Sequence, residues 1–265
     1  MHGLAIFGIT GRMGQSLLRA MQDDLTLRLC GAIASSGSGR LGQDAASEGI
    51  PTGVMVTSDP NVGIRGAAVA VDFSSGTSVA AHAKACAAAG IPILIGATGF
   101  DSASRAILEE AARLTAVLIA PNTSVGVSLV VKLVAMAAHG LGSSYDVEIL
   151  DVHHRTKRDA PSGTALALGK AVATARGQNF EEATAFDPSS GRRSLRVPGS
   201  IGISSVRAGD IVGEHTVTFA TDGERVEISH RATDRIIFAR GALRAAAWLV
   251  GKPAGLYGMH DVLGL

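Results

Sequence analysis

Residues 153–165, HHRTKRDAPSGTA, place His153, His154, Arg155, Lys157, Arg158 and Asp159 directly before a Pro-Ser-Gly-Thr turn. Histidine is the side chain best suited to moving a proton near neutral pH. Lys157 and Arg158 supply positive charge, and the turn reads as a helix start, with Asp159 as N-cap and Pro161 in the first turn. Amides and hydroxyls of Ser162, Gly163 and Thr164 are then exposed at that start. Three chemistries compete for such a cluster. Adjacent histidines followed by basic residues have poor spacing for a metal and repel a cation. A set of solvated charges capping a helix is the plain structural reading. The third is an anion pocket for a dicarboxylate, with a proton donor built in. Neighbouring strand residues point to opposite sides, so His153 and His154 cannot both face one small ligand from a regular strand.

A second constellation favours the anion pocket. The segment GITGRMG (Gly8, Gly11, Gly14) closes the first apolar run and opens the first amphipathic one. Helix N-terminal amides without obstructing side chains bind phosphate, and Arg12 adds a cation there. The G-x-x-G-x-x-G spacing is moderately specific: a tight strand-to-helix turn that needs glycine for its geometry is the plain reading, and the place after the first strand of an α/β unit favours a dinucleotide loop over it. The second strand ends in Ser35 and Ser36, with no carboxylate before Asp44. Nothing there repels a 2′-phosphate, and Arg12 or Arg40 is placed to receive one, so NADPH is expected to be accepted or preferred. Two more loops, GATGF from Gly96 and APNTSVGV from Ala120, fall at strand ends on the same sheet edge. Three such loops are better explained by a ligand lying across them than by three separate turns.

The elements that must position these residues are legible as alternation. Apolar runs LAIFGI, LRLCGAIA, AAVAVDFS, IPILIGAT and AVLIAPN are separated by helical MGQSLLRAMQDD, TSVAAHAKACAAAG and DSASRAILEEAARL. Continuous apolar strands between helices indicate a parallel sheet covered on both faces. After about Val125 the pattern becomes YDVEILDVHH, SLRVPGSIGISSVRAG, GEHTVTFATDG and ERVEISHRAT, with the hairpin signal TDGE and one helix, APSGTALALGKAVATA. The fold class is therefore α/β: an N-terminal doubly wound, Rossmann-like dinucleotide domain plus a central α+β domain with a mixed, largely open sheet. The helical tail FARGALRAAAWLVGKP returns to the first domain, giving residues 1–124 with 235–265 as the dinucleotide domain and 125–234 as the substrate and oligomerisation domain.

Bulk properties exclude other classes. Of the 265 residues, 46% are hydrophobic and 18% charged, which is globular composition, and a net charge of +1 offers no general attraction for nucleic acid or anionic membrane. Arg192 and Arg193 form only a short basic pair, read as a solvated loop. Lys132 interrupts the longest late apolar run, SLVVKLVAMAA, so no membrane span is expected. Cys30 and Cys86 follow no metal spacing and read as free thiols in a reducing cytoplasm.

GITGRMG, GATGF, APNTSVGV, HHRTKRDAPSGTAL and SVRAGDIVGEHTV stand in the same order and at similar separations in the 4-hydroxy-tetrahydrodipicolinate reductase (dihydrodipicolinate reductase) family, which the whole chain resembles down to its closing GLYGMHDVL. HHxxKxDAPSGTA is the most specific of these motifs. The resemblance implies a cytoplasmic, homotetrameric oxidoreductase of the diaminopimelate route to lysine, using NADPH and/or NADH on a dicarboxylate substrate and no metal. By matching position it implies His153 and Lys157 as catalytic residues, and His154, Gly163, Thr164 and Thr98 as substrate contacts. Gly8, Ile9, Thr10, Gly11, Arg12, Met13, Gly96, Ala97, Thr98, Ala120, Pro121, Asn122 and Thr123 would line the cofactor, with Ser35 and Ser36 at its ribose. Many members carry an acidic residue where Ser35 stands. Two alternatives share the architecture: another two-domain NAD(P)-dependent dehydrogenase, and a dinucleotide-sensing regulator without chemistry.

Overall fold

The computed structural model describes residues 1–46, 49–184 and 196–265; the Arg192–Arg193 pair and the first residues of the SLRVPG run lie outside them. In chain order the first compact unit has β1 (His2–Phe7), α1 (Arg12–Met21), β2 (Leu27–Ile33), β3 (Val56–Thr57), α2 (Pro60–Gly63), β4 (Val69–Asp72), α3 (Val79–Ala88), β5 (Ile93–Ile95), α4 (Ser102–Ala111) and β6 (Ala116–Ile119). The second has α5 (Val125–Leu141), β7 (Asp146–His153), α6 (Gly163–Ala175), α7 (Phe180–Ala183), β8 (Ile201–Arg207), β9 (Gly213–Thr221) and β10 (Glu224–Ala232). The chain then returns to the first unit with α8 (Ile236–Leu249), β11 (Gly255–Tyr257) and α9 (Met259–Leu263). By contacts the units divide as Met1–Val125 with Ile236–Leu265, and Gly126–Arg235.

The first unit is a seven-stranded parallel sheet in the order β11-β6-β5-β4-β1-β2-β3. Every residue of β4 and β5 is buried, because helices cover both faces and each side chain, up or down, meets apolar matter. One face packs on α1, α8 and α9 through Leu4, Ile6, Leu17, Ala242, Ala246 and Leu249. The other packs on α3 and α4 through Phe7, Ala83, Cys86, Ile95 and Leu108. With aromatics at only 4%, alanine-rich helix faces bring backbones close: a Cβ on Gly241 of α8 would stand 1.8 Å from the Thr123 carbonyl oxygen. The strand order reverses between β1 and β4, the place where doubly wound sheets bind ligands. The two-residue β3 and the short α2 were not legible as periodic runs.

The second unit is a four-stranded mixed sheet, β10-β9-β7-β8, with only β7 and β8 parallel. The TDGE signal is the β9–β10 hairpin, with Thr221 opposite Glu224 and Gly223 at φ +87°. On the covered face Val147, Ile149, Ile201, Val217 and Phe219 pack against Val130, Val134, Leu168 and Val172 of α5 and α6. The other face of the sheet leaves Leu150 and Val206 exposed. One expectation is corrected: Lys132 does not break the late apolar run. Residues 125–144 form a helix long and apolar enough, by length and composition, to cross a membrane, with mean hydropathy 1.7. Its Val130–Val134–Ala138 stripe nevertheless belongs to the core of this unit.

Candidate active site

On the covered face of the four-stranded sheet, polarity changes along the strands. Register places Ser205, Asp151, His215 and His230 side by side across β8, β7, β9 and β10, and Arg207, His153 and Gly213 follow toward one end. The period of two that buries Val147 and Ile149 carries straight on to bury Asp151 and His153. A fully buried carboxylate needs compensation, and Asp151 collects it from every neighbouring element. Its Oδ2 accepts from the Ser162 amide (3.0 Å), Arg207 (3.0 Å) and the Ser205 hydroxyl (3.2 Å). Its Oδ1 touches His153 Nδ1 at 3.0 Å and His215 Nε2 at 3.1 Å. Burial pushes the Asp151 carboxyl up, but His215, Ser162 and Arg207 together hold it well below the ordinary carboxylate range. It is an anion at any physiological pH.

Ser162 then opens α6. It caps the helix, its Oγ accepting from the Ala165 amide (3.2 Å) and lying 3.1 Å from His215 Nε2. This corrects the expectation that Asp159 is the N-cap. Asp159 instead accepts from Lys157 Nζ at 2.7 and 2.9 Å, because it lies in the loop before the helix with its carboxylate exposed. Pro161 correspondingly precedes the cap, outside the first turn.

His153 is nine-tenths buried, with its pKa lowered to about 4. Burial is the main cause, and His215, Lys157 and Arg207 add to it against the pull of Asp151. In the ligand-free chain it is therefore neutral at neutral pH. Gly213 faces its other edge: a Cβ there would lie 3.0 Å from His153 Nε2. His154 is the first residue past β7, so the strand ends where the sequence demanded an irregular backbone. Arg235 lies 3.1 Å from His154 Nε2, and a guanidinium can only donate, so Nε2 accepts and Nδ1 carries the proton toward Thr156 Oγ1 (2.8 Å). Gly163 and Thr164 occupy the first turn of α6, while Thr98 belongs to the first unit.

Asp151, His153 and His215 offer ligand atoms within 4.8 Å of one another, a spacing that a metal ion would accept. Their carboxylate, however, already receives a guanidinium and an amide, and Lys157 adds positive charge. The donor set suits a hydrogen-bonded network around an anion better than a cation site. Sequence reasoning missed Asp151, Arg207 and His215. Asp151, two residues before His153, was detectable from strand period alone; Arg207 and His215 needed the register.

In the first unit, Gly8 follows β1 with φ +80°, and a Cβ there would lie 2.8 Å from Phe73 carbonyl atoms at the end of β4. On Gly14 a Cβ would meet the Gly8 and Ile9 oxygens at 2.4 Å. Gly11 caps α1 without a side-chain hydrogen bond, and Thr10, Gly11 and Arg12 are exposed. The loop thus presents bare first-turn amides, the cradle a pyrophosphate requires. Ile9 is fully buried and Met13 half-buried, so they line the loop from inside. Ser35 and Ser36 are exposed after β2; Arg40 is committed to the Asp44 carbonyl (2.9 Å), and Asp44 to Thr52 and Gly53. Gly96 and Ala97 donate main-chain bonds to the Asp72 carbonyl (2.9 and 3.0 Å). Ala120 is buried, Pro121 exposed, and Asn122 Oδ1 accepts from the Ser124 amide (2.9 Å). Thr123 is 2% exposed and its hydroxyl donates to the Phe238 carbonyl (2.7 Å), so that side chain anchors the loop to α8.

Comparison with known proteins agrees over the full length. Residues 2–123 match the family model "Dihydrodipicolinate reductase, N-terminus", and residues 126–263 match "Dihydrodipicolinate reductase, C-terminus". The chain is 49% identical to 4-hydroxy-tetrahydrodipicolinate reductase of Anaeromyxobacter dehalogenans, covering 100% of this chain and 98% of that one. It is also 49% identical to the enzyme of the same name from Thiobacillus denitrificans, covering 99% and 98%. The dipicolinate-bound dihydrodipicolinate reductase from Paenisporosarcina sp. TG-14 shares the fold, with TM-score 0.78 at 24% identity over 98% of this chain and 99% of that one.

Proposed function

The chain belongs to the dihydrodipicolinate reductase family, and from that premise we propose how its residues carry out the NAD(P)H-dependent reduction of 4-hydroxy-tetrahydrodipicolinate to tetrahydrodipicolinate in the diaminopimelate route to lysine. The observation that carries the reading is the gathering of His153, Arg207, His215 and the α6 start around the buried carboxylate of Asp151.

We assign the cofactor to the first unit, where the Gly8–Gly14 loop with its uncapped α1 start fits a pyrophosphate. When bound there, NAD(P)H would supply a hydride to C4 of the conjugated cyclic imine that remains once the 4-hydroxyl and a C5 hydrogen have left as water, and one proton must then return to C5. With Arg40 committed to its own loop, Arg12 is the cation left to meet a 2′-phosphate beside Ser35 and Ser36, and NADPH is the preferred form.

We assign the dicarboxylate to the second unit. The first-turn amides at Gly163 and Thr164 hold one carboxylate and orient the ring; His154, with Arg235 beside it, receives the other. Lys157 exchanges Asp159 for the substrate and places its ammonium where charge develops on the ring nitrogen. His153 is neutral before binding because burial, helped by the nearby cations, holds its pKa low; a dianion beside it opposes those cations, so it takes up a proton and returns it to the reduced ring. Asp151 keeps the His153 ring oriented throughout.

The exposed Leu150 and Val206 on the uncovered sheet face support assembly as a homotetramer through that face. A net charge of +1 supports a protein without nucleic-acid or membrane partners, and the free Cys30 and Cys86 suit the cytoplasm. The test generates substrate in situ with dihydrodipicolinate synthase and follows NADPH and NADH absorbance. Oxidation that depends on the synthase is expected, faster with NADPH; none above background would overturn the reading.

A further inference from the structure

The buried Asp72 and the partly buried His82 form a pair in the first unit that no step above uses. Asp72 is the last residue of β4 and is fully buried. Its Oδ2 lies 2.8 Å from His82 Nδ1, and its Oδ1 accepts from the Ser74 amide at 2.8 Å. Since a carboxylate only accepts, His82 Nδ1 donates. On its face the His82 ring stacks on Phe7, the last residue of β1, with centroids 4.2 Å apart and planes 19° apart. Phe7 and Asp72 are register partners, so one imidazole, carried by α3, grips the ends of the two strands that flank the reversal of strand order.

Those two ends touch two of the loops assigned to the cofactor, the one that starts at Gly8 and the one that starts at Gly96. Gly8 directly follows Phe7, and its missing side chain lets it lie against Phe73 and Ser74. The Asp72 carbonyl accepts from the Gly96 and Ala97 amides, and Gly96 packs so closely on the Phe73 ring that a Cβ would stand 2.2 Å from it. A shift of Asp72 therefore moves three loops together. A buried carboxylate could have been satisfied by amides alone; spending a histidine from a third element couples them.

We propose that His82, acting through Asp72, is a positioning residue that sets the dinucleotide-binding geometry of the Gly8, Phe73–Ser74 and Gly96–Ala97 loops. This rests on the assignment of the cofactor to the first unit. The test is calorimetric titration of the full chain with NADPH, without substrate, followed by steady-state kinetics. His82→Gln, whose amide reaches past the Nδ1 position, should weaken NADPH binding by about tenfold and raise its KM alike, with kcat and the KM for the dicarboxylate held. His82→Asn places an amide donor where Nδ1 stands and should restore affinity. Equal NADPH affinity in the two variants, whether both wild-type or both lost, overturns the proposal, as does a fall in kcat at unchanged cofactor KM. Melting temperature reports folding in each. A wild-type chain that binds neither NADPH nor NADH would sink the cofactor assignment itself and this proposal with it, whereas tight wild-type binding with insensitive variants sinks only this one.

Discussion

Arg207 donates to Asp151 Oδ2 at 3.0 Å and, through the same nitrogen, to the Asp159 carbonyl at 2.7 Å, so one guanidinium ties the buried carboxylate of β7 to the loop that carries Lys157. Arg207→Met strips the cation from a buried anion, and the chain should lose roughly 3 kcal/mol of stability in denaturant unfolding. Arg207→Lys keeps the charge but loses the second guanidinium nitrogen that holds the Asp151 carbonyl, so it should recover only part of the stability, and both variants should raise the KM for the dicarboxylate through the loosened Lys157 loop. Wild-type unfolding in Arg207→Met would show that the amide and hydroxyl donors suffice.

Lys157→Ala and His153→Ala should each lower kcat by about a hundredfold, the usual scale of positioned acid–base groups. NADPH affinity should not move in either, since the residues belong to the second unit. Turnover near wild type in one variant removes that residue from the chemistry.

Stability should depend on pH through His153. Its folded pKa of about 4 lies below its ordinary 6.5, so as pH falls through that window the unfolded chain takes up a proton that the folded chain refuses. Melting temperature should therefore drop as pH falls between those values and lose nothing further through His153 below them. His230, lowered by burial and by His215, pulls the same way. The depressed Asp151 carboxyl contributes stability that is lost only at still lower pH, below the ordinary carboxylate range. His153→Asn should flatten part of the upper drop; an unchanged slope would assign that drop elsewhere.

Gly213→Ala tests the space around the imidazole. The added Cβ sits 3.0 Å from His153 Nε2, tighter than contact allows, and the ring must tilt. Catalytic efficiency toward the dicarboxylate should fall by about tenfold through the misplaced ring, with cofactor binding intact. Efficiency equal to wild type would mean that the imidazole swings freely.

Ser35→Asp restores a carboxylate at the end of β2. Repulsion of a 2′-phosphate at close range costs about 1–4 kcal/mol, so efficiency with NADPH should drop by roughly tenfold or more while NADH is little affected. Equal losses with both cofactors would place the adenosine ribose away from Ser35.

The fold was legible because its signals are local. Continuous apolar runs such as VAV and ILI have one stable home, a parallel sheet covered on both faces, and the glycines of GITGRMG mark the turn from the first strand into the first helix. What failed locally had weak local signal: β3 has two residues, and the N-cap expected at Asp159 falls three residues later, at Ser162.

By itself, then, the sequence determined the two architectures and the chemical inventory at 153–164, since side-chain type and period need no partner to be read. Only the tertiary structure decided that Asp151 is the hub, that His215 and Arg207 come to it from β9 and β8, and that His153 starts out neutral. Those facts depend on strand register and burial. They arise from residues more than fifty positions apart, whose meeting no spacing along the chain encodes.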